Sequence, residues 1–115
     1  MVGIREVRIT DDPFSFSYPL YLIVTVDDRE VTRVEDFVPL FTERLHAERE
    51  GIGFFGSETQ IVEIADLEDL LRWRDDIRSK QWRMRGFMID PPLLDLRPGG
   101  VGKHLVNCFL FSELD

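Results

Sequence analysis

Cysteine is nearly absent from this sequence, and no hydrophobic run is long enough to cross a bilayer. Cys108 is the only cysteine, so no intramolecular disulfide can form, which is typical of a reducing compartment. The longest apolar stretch, residues 20–26 (LYLIVTV), is far shorter than the ~20 residues that span a membrane. The first residues also lack the apolar centre of a signal peptide. We therefore expect a cytoplasmic protein that makes no membrane contact.

Basic residues are scarce as well. The 14 Lys and Arg residues are outnumbered by 22 Asp and Glu residues, which gives a formal net charge of −8. A negative field of this kind slows encounter with nucleic acid and favours cationic partners, so we expect a basic protein partner and no nucleic acid. A chain of 115 residues with 43% hydrophobic and 31% charged residues has the composition of one globular domain, residues 1–115.

Hydrophobic periodicity predicts two helices and five strands. The first helix lies within residues 34–51, where Val34, Phe37, Val38, Phe41 and Leu45 follow helical spacing, Pro39 falls in the first turn and Gly51 is the expected stop. The second helix is capped by Asp66 and runs from residue 67 to about Ser79. Strands are predicted over residues 4–10, 20–26, 59–64, 83–89 and 104–111.

The order ββαβαββ predicts an α+β domain, in which a mostly antiparallel sheet carries two helices packed on one face. Residues 4–10 carry charges on one side and suit an edge of that sheet. Residues 20–26 are apolar on both alternating sets, as in a central strand.

Two glycine-rich stretches resemble nucleotide-binding motifs in letters only. Residues 51–56 (GIGFFG) match G-x-G-x-x-G, but they follow a helix and lead into a strand, whereas the motif needs the reverse order. Residues 99–104 (GGVGKH) lack the first glycine of a P-loop, where Arg97 stands, and its Ser or Thr, where His104 stands. We therefore expect no nucleotide cofactor.

No set of residues with the spacing of a metal or catalytic site is visible. His46 shares a helix flank with Glu43 and Glu50, but without an H-E-x-x-H pattern or a cysteine it does not indicate a metal site. His104 and Cys108 lie about 13 Å apart on one strand face, too far for a thiolate–imidazole pair. We therefore expect no metal, no cofactor and no enzymatic activity.

The stretch RWRDDIRSKQWRMRG, residues 72–86, holds six of the 14 basic residues but only two of the 22 acidic ones. On a helical wheel Arg74 and Arg78 lie beside the apolar stripe, and Arg83 and Arg85 share one side of the following strand. One interpretation is an anion pocket built from these four arginines. The other, which we favour, is that they pair with some of the abundant carboxylates and cover the edge of the core.

The segment DDPFSFSYP, residues 11–19, also allows two interpretations. If it is extended, Phe14, Phe16 and Tyr18 project to one side. They then form either a sheet edge packed on a helix or an exposed row of anchors. In the second case Asp11 and Asp12 would add an acidic rim that speeds the capture of a basic partner.

Our leading hypothesis is a small acidic protein-binding domain, such as an inhibitor or immunity-type protein that occludes the basic site of a nuclease toxin. The predicted partner-binding residues are Asp11, Asp12, Phe14, Phe16, Tyr18, Asp27 and Asp28. Two alternatives stay open. The first is a small-ligand-binding or enzymatic domain whose anion pocket uses Arg74, Arg78, Arg83 and Arg85, and the second is a homo-oligomer whose dimer seam is the aromatic row.

Overall fold

The structure, a computed structural model, describes residues 6–9, 16–80, 83–91, 93 and 105–115. These residues form six strands, two α-helices and a final 3₁₀ turn. In chain order they are β1 (Glu6–Ile9), β2 (Leu20–Thr25), β3 (Phe37–Phe41), α1 (Arg44–Phe55), β4 (Thr59–Ile64), α2 (Leu67–Lys80), β5 (Gly86–Ile89), β6 (Leu105–Leu110) and the 3₁₀ turn Phe111–Leu114.

All six strands belong to one mixed sheet, in the spatial order β1-β6-β5-β3-β2-β4. The pairs β2–β3, β2–β4 and β5–β6 are antiparallel, whereas β1–β6 and β3–β5 are parallel. The predicted α+β class with a mostly antiparallel sheet is confirmed. The predicted order ββαβαββ fits as well, with one additional strand, β3, between β2 and the first helix.

The predicted first helix is wrong in its first part, because residues 37–41 form β3 and α1 begins only at Arg44. All five residues of β3 are buried. A strand between two neighbours with both faces covered needs such a continuous apolar run, and over a short stretch this run resembles helical spacing. Pro39 is compatible with the strand because β2 pairs only with Leu40 and Phe41, beyond the proline.

The predicted stop of the first helix at Gly51 is also wrong, since α1 continues to Phe55. Gly51 faces the sheet instead, where a Cβ atom would lie 2.6 Å from Cδ1 of Ile23. The residue that ends the helix is Gly56, which has φ +95° and whose amide donates to the carbonyl oxygen of Ile52 at 3.1 Å. Glycine is favoured at both positions, for close packing at the first and for backbone conformation at the second.

The prediction that both helices pack on one face of the sheet is wrong, because they lie on opposite faces. Leu20, Leu22 and Val24 of β2 belong to the core layer beneath α2, together with Leu70 and Ile77. The core layer on the other face of the sheet, beneath α1, contains Ile23 of β2 and Ala47 of α1. The connection β3–α1–β4 crosses the sheet in one direction and β4–α2–β5 crosses back, so right-handed crossovers put the helices on opposite sides.

The predicted strand over residues 59–64 is confirmed as β4, and the second helix is confirmed with its cap. The Asp66 carboxylate accepts from the amide of Asp69 at 2.9 Å, and the Asp69 carboxylate accepts from the amide of Ala65 at 3.2 Å. This reciprocal arrangement satisfies amides that have no partner within the helix. Within the described residues, neither helix combines the length and apolarity that membrane crossing requires.

β5 and β6 approach each other closely at Gly86, the first residue of β5, and a substitution there tests this contact. A Cβ atom at this position would overlap the carbonyl oxygen of Phe109, which belongs to the backbone of β6 and has no room to move. We expect Gly86→Ala to lower the free energy of unfolding by about 3 kcal/mol. Urea unfolding followed by circular dichroism measures the change.

Gly51→Ala is the matched control. There the contact is with the tip of a flexible side chain, Cδ1 of Ile23, and alanine favours a helix by about 1 kcal/mol over glycine. We expect this variant to lose at most about 1 kcal/mol. Equal losses for the two variants would contradict the packing described for β5 and β6.

Candidate functional site

The turn that follows β2 carries two of the predicted partner-binding residues, Asp27 and Asp28. The amide of Thr25 donates to the carbonyl oxygen of Glu30 at 2.9 Å, and the amide of Arg29 donates to that of Thr25 at 3.1 Å. Arg29 adopts φ +52°, which allows the chain to reverse within these few residues. Both aspartates are consequently exposed at the tip of a tight turn.

The turn is part of a larger acidic surface, which we call the acidic end: Val26, Asp27, Asp28, Glu30 and Glu58. Glu58 joins it because the amide of Val26 donates to the carbonyl oxygen of Glu58 at 3.0 Å, which continues the ladder between β2 and β4. Val26 is 50% exposed amid these carboxylates. Two hollows flank the turn, one of about 220 Å³ toward α2 and one of about 340 Å³ toward the end of α1.

The acidic end also contains a basic neighbour, because Arg29 stands between Asp28 and Glu30, so its four carboxylates and Arg29 together carry a formal charge of −3. Within the described part of the chain, none of the four carboxylates forms an ion pair with a basic side chain. Several of the described basic side chains instead pair with carboxylates elsewhere on the protein. The ion pairs include Arg44–Glu48, Arg72–Asp69, Lys80–Asp76 and Arg85–Asp36.

Sequence reasoning found only part of the acidic end. Glu30 stands in the same turn cluster as Asp27 and Asp28, so its membership could have been read from the sequence. Glu58 lies 28 residues beyond Glu30, and only the pairing of β2 with β4 brings it to the turn.

The aromatic residues of the predicted partner-binding set pack on the core. Phe16 is half-buried with its ring centroid 5.0 Å from that of Phe109, and Tyr18 is half-buried in the same layer. The Tyr18 hydroxyl is buried without a hydrogen-bond partner among the described residues, and its burial, with a smaller effect of the Asp66 charge, raises the pKa of Tyr18. For these two rings, the geometry agrees with the packed interpretation.

The predicted partner-binding residues do not form one continuous surface in the described part of the chain. Phe16 and Tyr18 precede β2, whereas Asp27 and Asp28 follow it. The six residues of β2 separate the two groups by about 17 Å. Three members of the predicted set, Asp11, Asp12 and Phe14, lie outside the described residues.

Two of the predicted anion-binding arginines bind a carboxylate of the protein itself. Arg78 donates from Nη1 and Nη2 to the two carboxylate oxygens of Asp115 at 3.0 and 3.3 Å. Nη1 of Arg74 lies 3.0 Å from Oδ1 of Asp115, and Nη2 lies 2.9 Å from Asp75. The hydrogen bond from Arg78, together with the charges of both guanidinium groups, lowers the pKa of Asp115, and burial opposes this only partly.

The other two arginines are not gathered with this pair. Arg85 approaches Asp36 at 3.3 Å and lies over the ring of Phe37, 5.0 Å from its centroid, and Arg83 is exposed. A hollow of about 320 Å³ nevertheless lies between Arg78 and Arg85, with Met84 and Phe111 in its wall. The structure thus brings together two of the four arginines at one cavity.

A further polar cluster lies where β3 and β5 end. Asp90 accepts hydrogen bonds from the amide and the hydroxyl of Thr42 at 2.9 and 2.8 Å. His46 stands between two carboxylates, with Nδ1 3.6 Å from Asp90 and Nε2 3.9 Å from Glu50. Because the Thr42 hydroxyl donates to Asp90 and not to the imidazole, no activated nucleophile is formed.

This cluster fastens the turn after β5 to the start of α1. It lies at the carboxyl ends of the neighbouring parallel strands β3 and β5, a frequent place for ligands in open sheets. No group of three or more His, Cys, Asp or Glu side chains within the described ranges has the geometry to hold a metal ion. The two hydrogen bonds from Thr42 to Asp90 give the cluster a structural role, because they connect the turn after β5 to the segment before α1.

Cys108 is fully buried in β6, on the face of the sheet that α1 covers. Burial raises the pKa of its thiol to about 12; the charge of Arg85 opposes this rise and that of Glu35 adds to it. A thiol in this state carries very little thiolate at neutral pH and is a poor nucleophile.

The pairing of Asp115 with Arg78 and Arg74 makes a prediction about pH. The pKa of Asp115 is lowered in the folded protein, so the pair stabilises the fold above the ordinary carboxyl pKa and is lost as pH falls through the lowered value. We expect Asp115→Asn to reduce the urea midpoint at about pH 7 and to have little effect at about pH 2.5.

Asp28→Asn serves as the control for this measurement, because Asp28 is exposed and forms no ion pair with any residue that the structure describes. Its urea midpoint should follow that of the natural protein at each pH. A loss of stability in Asp115→Asn that is equal at both pH values would contradict an ionic contribution.

No protein-family model matches this sequence, and no curated protein sequence matches it.

Proposed function

We propose that this protein is a small protein-binding domain whose acidic end covers a basic site on a partner, as an inhibitor or immunity-type protein covers the active site of a nuclease toxin. The observation that supports this proposal is a cluster of four carboxylates around exposed Val26, which form no ion pair among the described residues and outnumber the one basic residue of the turn, Arg29. Carboxylates without internal partners retain their full attraction for an external cation, because no ion pair has to be broken before binding.

The acidic end suggests how occlusion works. Asp27 and Asp28 lead the encounter from the tip of the turn, where their field extends into solvent and accelerates association with a cationic surface. Val26 supplies apolar contact at the centre, and Glu30 and Glu58 form the rim. The partner's basic groups, which otherwise hold an anionic substrate, are then neutralised and sterically covered. In this proposal the protein acts in the cytoplasm without performing chemistry itself.

The double variant Asp27→Asn, Asp28→Asn tests the proposal. We expect it to weaken binding of the partner at least about tenfold, mainly through slower association, because it removes the two leading charges. Immobilised natural protein and variant are each incubated with cell extract, and the bound proteins are quantified by mass spectrometry. The partner is a basic protein that the natural domain retains and the variant does not.

The control is Glu43→Gln, Glu68→Gln, which changes the net charge equally. Both residues are exposed and lie at the starts of α1 and α2. These helix starts lie where β3 and β4 terminate, at the opposite end of the sheet from the acidic end. The partner must be retained by this control, and its release must increase with salt concentration. If no protein is lost from the double variant and retained by the control, the acidic end is not the binding surface.

A second candidate function is supported by the hollow of about 320 Å³ between Arg78 and Arg85. Its size reaches the lower end of ligand-binding cavities. Arg78 lies 5.8 Å from the ring centroid of Phe111, so the cavity combines guanidinium donors with an aromatic wall. These features suit a small aromatic phosphate or carboxylate.

Titration with phenyl phosphate distinguishes this second function. We expect binding that weakens with salt and that Arg85→Ala weakens at least about tenfold, because a charge-assisted pair is lost. Isothermal titration calorimetry measures both effects, with Asp28→Asn as a control that should bind normally. Equal affinity of Arg85→Ala and the natural protein would exclude the cavity as the site.

A further inference from the structure

β4 is an edge strand whose outer side is open for pairing. It pairs with β2 on one side, and no segment of the described ranges pairs with its other side. Edge strands are normally protected by proline, by charged side chains such as lysine, by a bulge or by a covering loop, and of these β4 has one charged side chain, Glu63. The sequence of β4, TQIVEI, contains neither proline nor lysine, and its six residues pair one to one with β2 without a bulge.

The hydrogen bonds of β2 determine which backbone groups of β4 point outward. The amide of Val26 donates to Glu58, whereas the amide of Thr32 donates to Ile23 on the opposite side of β2. Even-numbered residues of β2 therefore bond toward β4, and in the observed register their partners in β4 are also even-numbered. By alternation, the outward N–H and C=O groups belong to Thr59, Ile61 and Glu63.

We propose that a second copy of this chain pairs with this edge, antiparallel, about a two-fold axis that passes beside Ile61. Ile61 of one copy then lies opposite Ile61 of the other, and Thr59 of each copy lies opposite Glu63 of the other. All three outward-directed residues then bond to outward-directed residues of the other copy, which gives about six hydrogen bonds. The result is one continuous sheet of two protomers.

The charges of β4 favour this register over its neighbours. Glu63 is the only charged residue of the strand, and it meets the Thr59 hydroxyl of the second copy. A register centred on Glu63 would set two carboxylates directly opposite each other, which is destabilising. A register centred on Gln60 or Val62 would leave one outward-directed residue of each copy unpaired.

An apolar flank of α1 accompanies the open edge. Leu45 and Ile52 are 78% and 57% exposed and lie about 20° apart on the helical wheel. They are on the side of α1 away from His46, which faces Asp90 at the end of β5, and thus on the flank toward β4. α1 packs on β2 and β4 and also on β3, so its axis lies about 2–5 Å inside β4, and pairing places its two copies about 10–14 Å apart. At this distance the exposed side chains of Leu45 and Ile52 line the groove between the two helices.

This dimer uses a surface separate from the tip of the acidic end and does not depend on the proposed function. It also responds to salt in the opposite way. Each protomer carries a net charge of −8, so added salt screens repulsion and strengthens pairing, whereas it weakens capture of a basic partner. The two proposals can therefore fail separately.

Charge substitutions opposite Glu63 test the register. Thr59→Glu sets a carboxylate opposite Glu63 twice in the dimer, and Thr59→Lys sets an ammonium group there twice. We expect the dimer dissociation constant to rise about fivefold in the first variant and to fall about fivefold in the second. Both variants lose the same hydrogen bond from Thr59 to Gly56, so sedimentation equilibrium compares them directly.

Gln60→Glu and Gln60→Lys are the matched controls. They change the net charge in the same way, but in this register Gln60 lies opposite Val62 and meets no charge. Their dissociation constants should differ less than twofold from each other. Equal responses at residues 59 and 60 would overturn the register.

Cysteine cross-linking locates the axis. In Ile61→Cys the two new thiols lie on paired residues about 5.5 Å apart between Cα atoms, within the range of a disulfide. In Gln60→Cys the corresponding distance is about 8 Å, beyond that range. The native Cys108 is fully buried and should not interfere. We expect mild oxidation to give a covalent dimer for the first variant only.

Light scattering of the natural protein completes the test. A mass rising toward twice the 13.5 kDa of the chain, together with cross-linking at residue 61, supports the proposal. A mass of one chain at concentrations up to about 1 mM overturns it, and so does a dimer that fails to cross-link at residue 61.

Discussion

The burial of β2 and β3 on both faces is the constraint on which the rest of the structure depends. Leu22, Ile23 and Val24 are fully buried although their side chains point alternately to the two sides of the sheet. Neither strand can be covered from one side alone, so the chain must place a helix on each face. The connections β3–α1–β4 and β4–α2–β5 do this by crossing the sheet in opposite directions.

This arrangement determines where charge collects. α2 directs Arg74 and Arg78 toward Asp115, and shorter-range pairs on both helices neutralise several other basic groups. The turn after β2 carries Asp27 and Asp28 at its exposed tip. Among the described residues these carboxylates form no ion pair, and they outnumber the one basic residue of the turn, Arg29, so this end of the molecule is the one that we propose binds a basic partner.

The same topology makes β4 an edge strand. β4 is reached only by a crossover from β3, and the chain leaves it by a crossover to β5, so its outer side is left without a neighbouring strand in the described part of the chain. The acidic end and the β4 edge are adjacent, since Glu58 immediately precedes Thr59. A dimer through the edge would nonetheless direct the two acidic ends away from each other, because the strands run antiparallel. Both surfaces could then serve one assembly.

Local patterns in the sequence determined a large part of this fold. The residues TQIVEI predict β4 to the residue, Asp66 predicts the start of α2, and the apolar sets of residues 20–26 predict a central strand. Each of these signals arises from interactions within a few residues of the chain. The surplus of carboxylates over basic groups, and the expected pairing of Arg74 and Arg78 with some of them, likewise followed from composition and helical spacing.

Other features were decided only by tertiary structure, because they depend on contacts between distant segments. Residues 37–41 satisfy helical and strand spacing equally over so short a length, and burial between β5 and β2 decides for the strand. Gly51 reads as a helix stop until the close approach of Ile23 shows why it lacks a side chain. Sheet pairing brings Glu58 to the acidic end, and core packing separates Phe16 and Tyr18 from Asp27 and Asp28, with which they were predicted to form one surface. No local pattern encodes either contact.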